Sequence, residues 1–195
     1  MKYAIVINSR SGNTRLVGNA LMRALAESNG RAEAMYVGDI PPADGETCSE
    51  KGASQSEPAC GSVEMIQQAD TILFGFWTDK GDCTQDAARF LQTLSGKRVF
   101  LFGTAGFGGS QAYFDRILAT VRSHLPADAD LAGSVMCQGK MDVAVRRRYE
   151  AMLGQDPQDA RAKAMIENFD EALAHPDESD FQTVITAAKS SLHLS

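Results

Sequence analysis

Two short segments, Thr71-Ile72-Leu73-Phe74-Gly75-Phe76 and Val99-Phe100-Leu101-Phe102, are apolar at almost every position. A strand with one wet face alternates polar and apolar residues. A run without alternation belongs to a strand covered on both faces, as in a parallel sheet between helices. Strands are therefore expected at Tyr3–Ile7, Ala32–Val37, Thr71–Phe76, Arg98–Gly103 and Ala132–Cys137. Helical stripes fall between them. Leu16, Val17, Ala20, Leu21, Ala24 and Leu25 form the first, with Asn29-Gly30 as its stop. Phe90, Leu91 and Leu94 precede Ser95-Gly96, and Phe114, Ile117, Leu118, Val121 and Leu125 precede Pro126. Such β–α alternation with short connections predicts a doubly wound α/β domain.

The segment from Gly38 to Gly61 departs from this rhythm. It carries three prolines and little apolar content, and only Val63–Gln68 reads as helical before the next strand. After Cys137 the chain reads as helices over Asp142–Leu153, Pro157–Leu173 and Asp177–Leu192. These helices are expected to pack on the same domain, giving a domain of residues 1–139 and a helical extension of 140–195; a docking surface is the other reading. Arg146-Arg147-Arg148 reads as a solvated helix face.

A net charge of −6 over 195 residues argues against nucleic acid or an anionic membrane as partner. The N-terminal apolar run is too short for a signal-peptide core or a membrane span, which predicts a cytoplasmic protein. The four cysteines include no CxxC pair, and the three histidines lie far from them in sequence, so no metal site is expected. Cys137 reads as a buried thiol. Cys48 and Cys60 share the long polar segment and could pair only under oxidation.

In an open parallel sheet, ligands bind beyond the carboxyl ends of the strands, where strand order reverses. After the first strand comes Asn8-Ser9-Arg10-Ser11-Gly12-Asn13-Thr14. Free amides at a helix N-terminus, three hydroxyls and an arginine suit a dianionic phosphate, although the same residues also serve as an ordinary helix cap. After the third strand comes Trp77-Thr78-Asp79-Lys80-Gly81-Asp82, and after the fourth Thr104-Ala105-Gly106-Phe107-Gly108-Gly109-Ser110. The fifth is followed by Gln138-Gly139-Lys140. Glycine lets backbone approach a flat ligand, and Trp77 and Phe107 could cover a ring face. Trp77 could equally cap the core at a strand end. No acid–base pair or nucleophile with a convincing partner stands in these loops.

Ser9-Arg10-Ser11-Gly12-Asn13-Thr14 resembles the [T/S]-x-[T/S]-G-N-[T/S] phosphate loop of the flavodoxin-like family. Ala69–Phe76 with Lys80-Gly81-Asp82 resembles that family's third strand and flavin-edge loop, and Gly96–Tyr113 its fourth strand and ring-covering loop. The resemblance spans residues 2–137 and is to short-chain flavodoxins. It implies a five-stranded sheet in the order 2-1-3-4-5, the type case of binding where strand order reverses. It implies FMN held non-covalently and single electrons passed between redox partner proteins by a monomer or weak dimer. Ser9, Arg10, Ser11, Gly12, Asn13 and Thr14 would hold the phosphate. Trp77, Thr78, Lys80, Gly81, Asp82, Thr104, Ala105, Gly106, Phe107, Gly108, Gly109 and Tyr113 would line the ring, with Phe107 stacked on it. The peptide around Gly81 would turn its carbonyl toward N5 of the half-reduced flavin.

Lys80 stands where the family often has an apolar residue; it would favour an anionic reduced flavin or else point to solvent. The long second loop and the helical tail exceed a minimal flavodoxin. Similar tails occur in some flavodoxin-like proteins of anaerobic bacteria, including accessory flavodoxins of bilirubin reduction. Two rival readings stand beside the carrier: an NAD(P)H-dependent quinone or flavin reductase on the same fold, and a degenerate module without flavin. A phosphorelay receiver would need acidic residues after the first strand, where Asn8-Ser9 stand.

Overall fold

The computed structural model describes residues 1–27, 32–42, 62–108 and 110–194. Cys48, Cys60, Gly109 and the Asn29-Gly30 stop lie outside these residues. Five strands, β1 (Lys2–Ile7), β2 (Glu33–Asp39), β3 (Thr71–Trp77), β4 (Arg98–Ala105) and β5 (Asp130–Gln138), form one sheet in the order β2-β1-β3-β4-β5. Every neighbouring pair is parallel. Strand order reverses between β1 and β3, which places a crevice above their carboxyl ends.

The helices are α1 (Asn13–Ala26), α2 (Ser62–Gln68), α3 (Gln85–Gln92), α4 (Gln111–Arg122), α5 (Val143–Gln155), α6 (Ala160–Ala172) and α7 (Glu178–Ser191). Alternate residues of the sheet feed two cores. On one face Val6, Phe74, Phe76 and Leu101 pack with Ile66 of α2, Leu91 of α3 and Ile117 and Val121 of α4. On the other, Ile5, Leu73, Phe100 and Phe102 pack with Val17, Leu21 and Leu25 of α1 and Val184 and Ala188 of α7. Each fully buried side chain of this size contributes roughly 1.5–3 kcal/mol. β3 is buried from Thr71 to Phe76, which accounts for its lack of alternation.

The first stripe needs one correction. Leu16 is exposed, because the buried side of α1 runs through Asn13, Thr14, Val17, Gly18, Leu21 and Leu25. α6 begins at Ala160 behind an Asp159 cap rather than at Pro157. α7 lies beside α1 on the sheet and completes that helical layer, while α5 and α6 form an antiparallel excursion between β5 and α7. Among the described residues, no helix is long and apolar enough to cross a membrane.

Candidate functional site

The loops after β1, β3, β4 and β5 are joined into one rim by hydrogen bonds at the strand ends. Asn8 N donates to Gly75 O at 2.7 Å, Thr78 N to Thr104 O at 2.9 Å, and Gly139 N to Ala105 O at 3.0 Å. The buried Thr14 and Thr104 hydroxyls pair at 2.8 Å and tie the start of α1 to the end of β4. Asn13 Nδ2 donates to Lys140 O at 2.8 Å and to Ser11 Oγ at 3.1 Å, bringing in the β5 loop. Thr14, Thr104 and Asn13 thus have partners within the protein.

The β1–α1 loop is different. Gly12, at φ +89°, is the N-cap of α1, and no side chain accepts from the helix's first turn. α3 to α7 are each capped by a side chain: Thr84, Ser110, Asp142, Asp159 and Asp177. The positive end of α1 therefore leaves its donors without a side-chain acceptor. Ser9 Oγ beside it is buried and has no hydrogen-bond partner, and Thr78 Oγ1 in the β3 loop is in the same condition. A buried hydroxyl left unpaired costs about 1–3 kcal/mol, so native proteins rarely keep one without a use. Free helix amides, an unpaired serine and the guanidinium of Arg10 fit an anionic phosphate. Arg10 also lies over the Trp77 ring, 5.4 Å from its centroid, which joins the first loop to the third-strand loop.

After Trp77 the chain makes a tight two-residue turn. Asp79 N donates to Asp82 O at 2.7 Å and Asp82 N to Asp79 O at 3.1 Å, with Lys80 at φ +52° and Gly81 at φ +89°. Positive φ at both central residues defines a type I′ turn and explains Gly81, while Lys80 carries the strain of a left-handed side-chain residue. Lys80 itself is exposed. The Asp82 carboxylate is committed locally: it accepts from Cys83 N at 2.7 Å and lies 2.9 and 3.0 Å from Nε2 of His124, just beyond the C-cap of α4. Asp82, Cys83 and His124 could together hold a metal ion. Sequence distance hid this cluster, since His124 lies 42 positions beyond Asp82.

The β4–α4 loop carries Phe107, which is 39% exposed and meets Tyr113 edge-on at 6.5 Å between centroids. The space that Gly106 and Gly108 leave open is filled by the protein itself. A Cβ on Gly106 would stand 2.3 Å from Met141 Cγ, and one on Gly108 would stand 2.4 Å from Gln138 Cδ. Behind the same loop, Asn168 of α6 donates to Gly106 O and accepts from Gly108 N, both at 3.2 Å. Sequence reasoning missed Asn168, Met141 and His124; a polar residue inside a helix and a lone histidine carry no spacing signal. On the C-terminal side, Lys140 N donates to His175 O at 3.0 Å, and His175 Nδ1 lies 2.6 Å from Asp180 Oδ2. Of the arginine run, Arg146 pairs with Asp170 and Glu150 and covers Phe169, whereas Arg147 and Arg148 are exposed.

The chain is similar to several known proteins. A flavodoxin-like domain-containing protein, BilS, of Clostridium symbiosum is 40% identical over 188 residues, covering 92% of this chain and 90% of its own. BilS of Clostridioides difficile is 31% identical over 120 residues, covering 62% of this chain and 68% of its own. Among solved structures, a WrbA-like flavodoxin from Agrobacterium tumefaciens matches with TM-score 0.47 and 13% identity over 100% of this chain and 99% of that one. The sequence profile of the flavodoxin domain matches residues 52–189. With that profile over most of its length and the 40% identical relative, the chain belongs to the flavodoxin family of flavin-binding redox proteins.

Proposed function

We propose that the protein binds FMN non-covalently and carries electrons between redox partner proteins. The observation that carries this reading is the uncapped, glycine-started N-terminus of α1 with the unpaired buried Ser9 hydroxyl beside it. Ser9, Ser11, the amides of Gly12 to Thr14 and Arg10 would hold the phosphate. The cation of Arg10, held over Trp77, offsets the phosphate charge. Thr78, with its unpaired hydroxyl, and the turn at Lys80-Gly81 would meet the polar edge of the ring, and Phe107 with Tyr113 would cover a ring face. When bound, the flavin supplies the electron chemistry. The chain's part is to bind, orient and tune.

Glycine at position 81 accepts either sign of φ, so the Lys80–Gly81 peptide can reverse its carbonyl at low cost. The hydrogen bonds of Asp79 and Asp82 would hold the two ends of the turn while it does so. Thr14, Thr104 and Asn13 keep the loops in register. Residues 1–139 would form the cofactor-binding domain, with 140–195 packed on it. The net charge of −6 favours a partner with a basic face.

The test is the visible spectrum of the purified protein through anaerobic stepwise reduction. A yellow protein with two resolved one-electron steps and slow NAD(P)H oxidation on its own is the expected result. Fast NAD(P)H turnover with a quinone would make it a reductase instead. A colourless preparation that gains neither colour nor thermal stability from added FMN would end the flavin reading.

A further inference from the structure

The α5–α6 excursion stands apart from the two helical layers, yet one of its side chains reaches the rim of the site. Asn168 uses both ends of its amide on a single loop. Oδ1 accepts from Gly108 N at 3.2 Å and Nδ2 donates to Gly106 O at 3.2 Å. The orientation is unambiguous, because a backbone N–H can only donate and a backbone C=O can only accept. Gln138 Nε2 donates to the same Gly106 O at 3.2 Å and reaches Asn168 Oδ1 at 3.4 Å. The two backbone groups flanking Phe107 are thereby satisfied from behind, leaving the ring on the outer side and 39% exposed.

The hairpin that presents Asn168 is itself fastened. Phe169, the next residue, is 2% exposed, and the Arg146 guanidinium of α5 lies over its ring at 5.6 Å. Arg146 further bridges α5 to α6 through Asp170. Asparagine inside a helix is unfavourable for helix propensity. Here it does for the loop what a neighbouring strand would do, across 60 to 62 residues of sequence.

We infer that Asn168 is a positioning residue, through which the α5–α6 hairpin fixes the Gly106–Gly108 backbone and so sets the pose of Phe107 toward the flavin ring. The inference rests on the FMN reading above only for its ligand; the clamp itself is a property of the protein alone. It would separate two parts of one ligand, since the hydrogen bonds of Asn168 among the described residues go to Gly106, Gly108 and Gln138 and none to the phosphate loop.

The experiment compares Asn168→Ala with the unaltered full chain. Without ligand, amide exchange at Gly108 should accelerate about tenfold, the scale of one to two net hydrogen bonds, while exchange within β4 stays unchanged. FMN and riboflavin should both bind about tenfold more weakly, with the ratio of the two affinities preserved. The double variant Asn168→Ala, Phe107→Ala should lose no more riboflavin affinity than Phe107→Ala alone. Unchanged exchange at Gly108, a changed FMN-to-riboflavin ratio, or losses that simply add would each overturn the inference. If Asn168→Ala fails to fold, Asn168→Leu, of similar volume, serves for the same measurements. If the unaltered protein binds neither flavin, the FMN reading falls, and the ligand-free exchange measurement alone decides on the clamp.

Discussion

The two loops that frame the site are held in opposite ways. Behind β1, the protein leaves donors unpaired: a helix start without a side-chain cap and the buried Ser9 hydroxyl without a partner. Behind β4, it satisfies nearly everything: Gly106 O and Gly108 N are both bonded, and α4 has its Ser110 cap. The first loop leaves its donors open, as the proposed phosphate site requires. The second is built to keep one shape, and its aromatic residue is what faces outward. A ligand with a charged tail and a flat ring needs both, because charge is recognised by free donors and a ring by a fixed surface.

The contrast can be broken most severely at Ser9. Ser9→Asp places a carboxylate where the phosphate is proposed to sit. FMN affinity should fall at least about 100-fold, or about 3 kcal/mol, with riboflavin affinity nearly unchanged, as read by flavin fluorescence titration. An equal loss for both flavins would contradict the division of labour between the loops. Next in size is the strut between them. Thr14→Val should cost about 1–3 kcal/mol in urea unfolding, because it strands the buried Thr104 hydroxyl. The double change Thr14→Val, Thr104→Val should cost less than the sum of the single changes.

Ser9→Ala sharpens the comparison more gently. FMN affinity should fall about tenfold, while ligand-free stability holds or rises, since the unpaired group is removed. The same truncation at an ordinary cap, Ser110→Ala, should instead cost about 1 kcal/mol of stability. The smallest effect near neutral pH comes from Cys137, beneath the β5 loop. Burial, with smaller contributions from Asp180 and Asp177, pushes its thiol up to about 12. An unfolded thiol ionises near pH 8.5. Stability is therefore full below that pH and declines as pH rises from about 8.5 toward 12, because only the unfolded chain releases the proton. Urea midpoints measured from pH 7 to 10 should show this decline, and Cys137→Ala should lessen it, the rest belonging to Cys83, whose thiol burial also pushes up to about 12.

The sheet was legible in the sequence because its central strands are wet on neither face. β3 and β4 announce themselves as unbroken apolar runs, and β1 nearly so. β2, at the edge, has a single buried residue, Tyr36, and its bounds shift from Ala32–Val37 to Glu33–Asp39. Leu16 escapes the pattern because an apolar residue next to a helix stripe looks in sequence the same as one inside it. The loops were legible because each directly follows a strand, which is where such folds bind. What could not be read was how those loops are braced. Asn168 on Gly108 and His124 on Asp82 are contacts between distant segments, and neither leaves a local pattern. The glycines of the β4 loop suggest closeness to a ligand in sequence, but the nearest crowding at Gly106 and Gly108 comes from Met141 and Gln138.

The place of α7 in the layers has a consequence for the order in which the molecule is made. Leu73, Phe100 and Phe102 on one side of the sheet are shared between α1, which is synthesised early, and α7, the last helix described. Until Glu178–Ser191 has left the ribosome, part of that side has no cover, although every strand has already been translated. A nascent chain paused anywhere in the α5–α6 excursion displays an apolar sheet surface to its surroundings. Such intermediates are the ones that aggregate or engage chaperones. The insertion that braces the aromatic loop therefore also lengthens the time for which the half-finished protein is vulnerable.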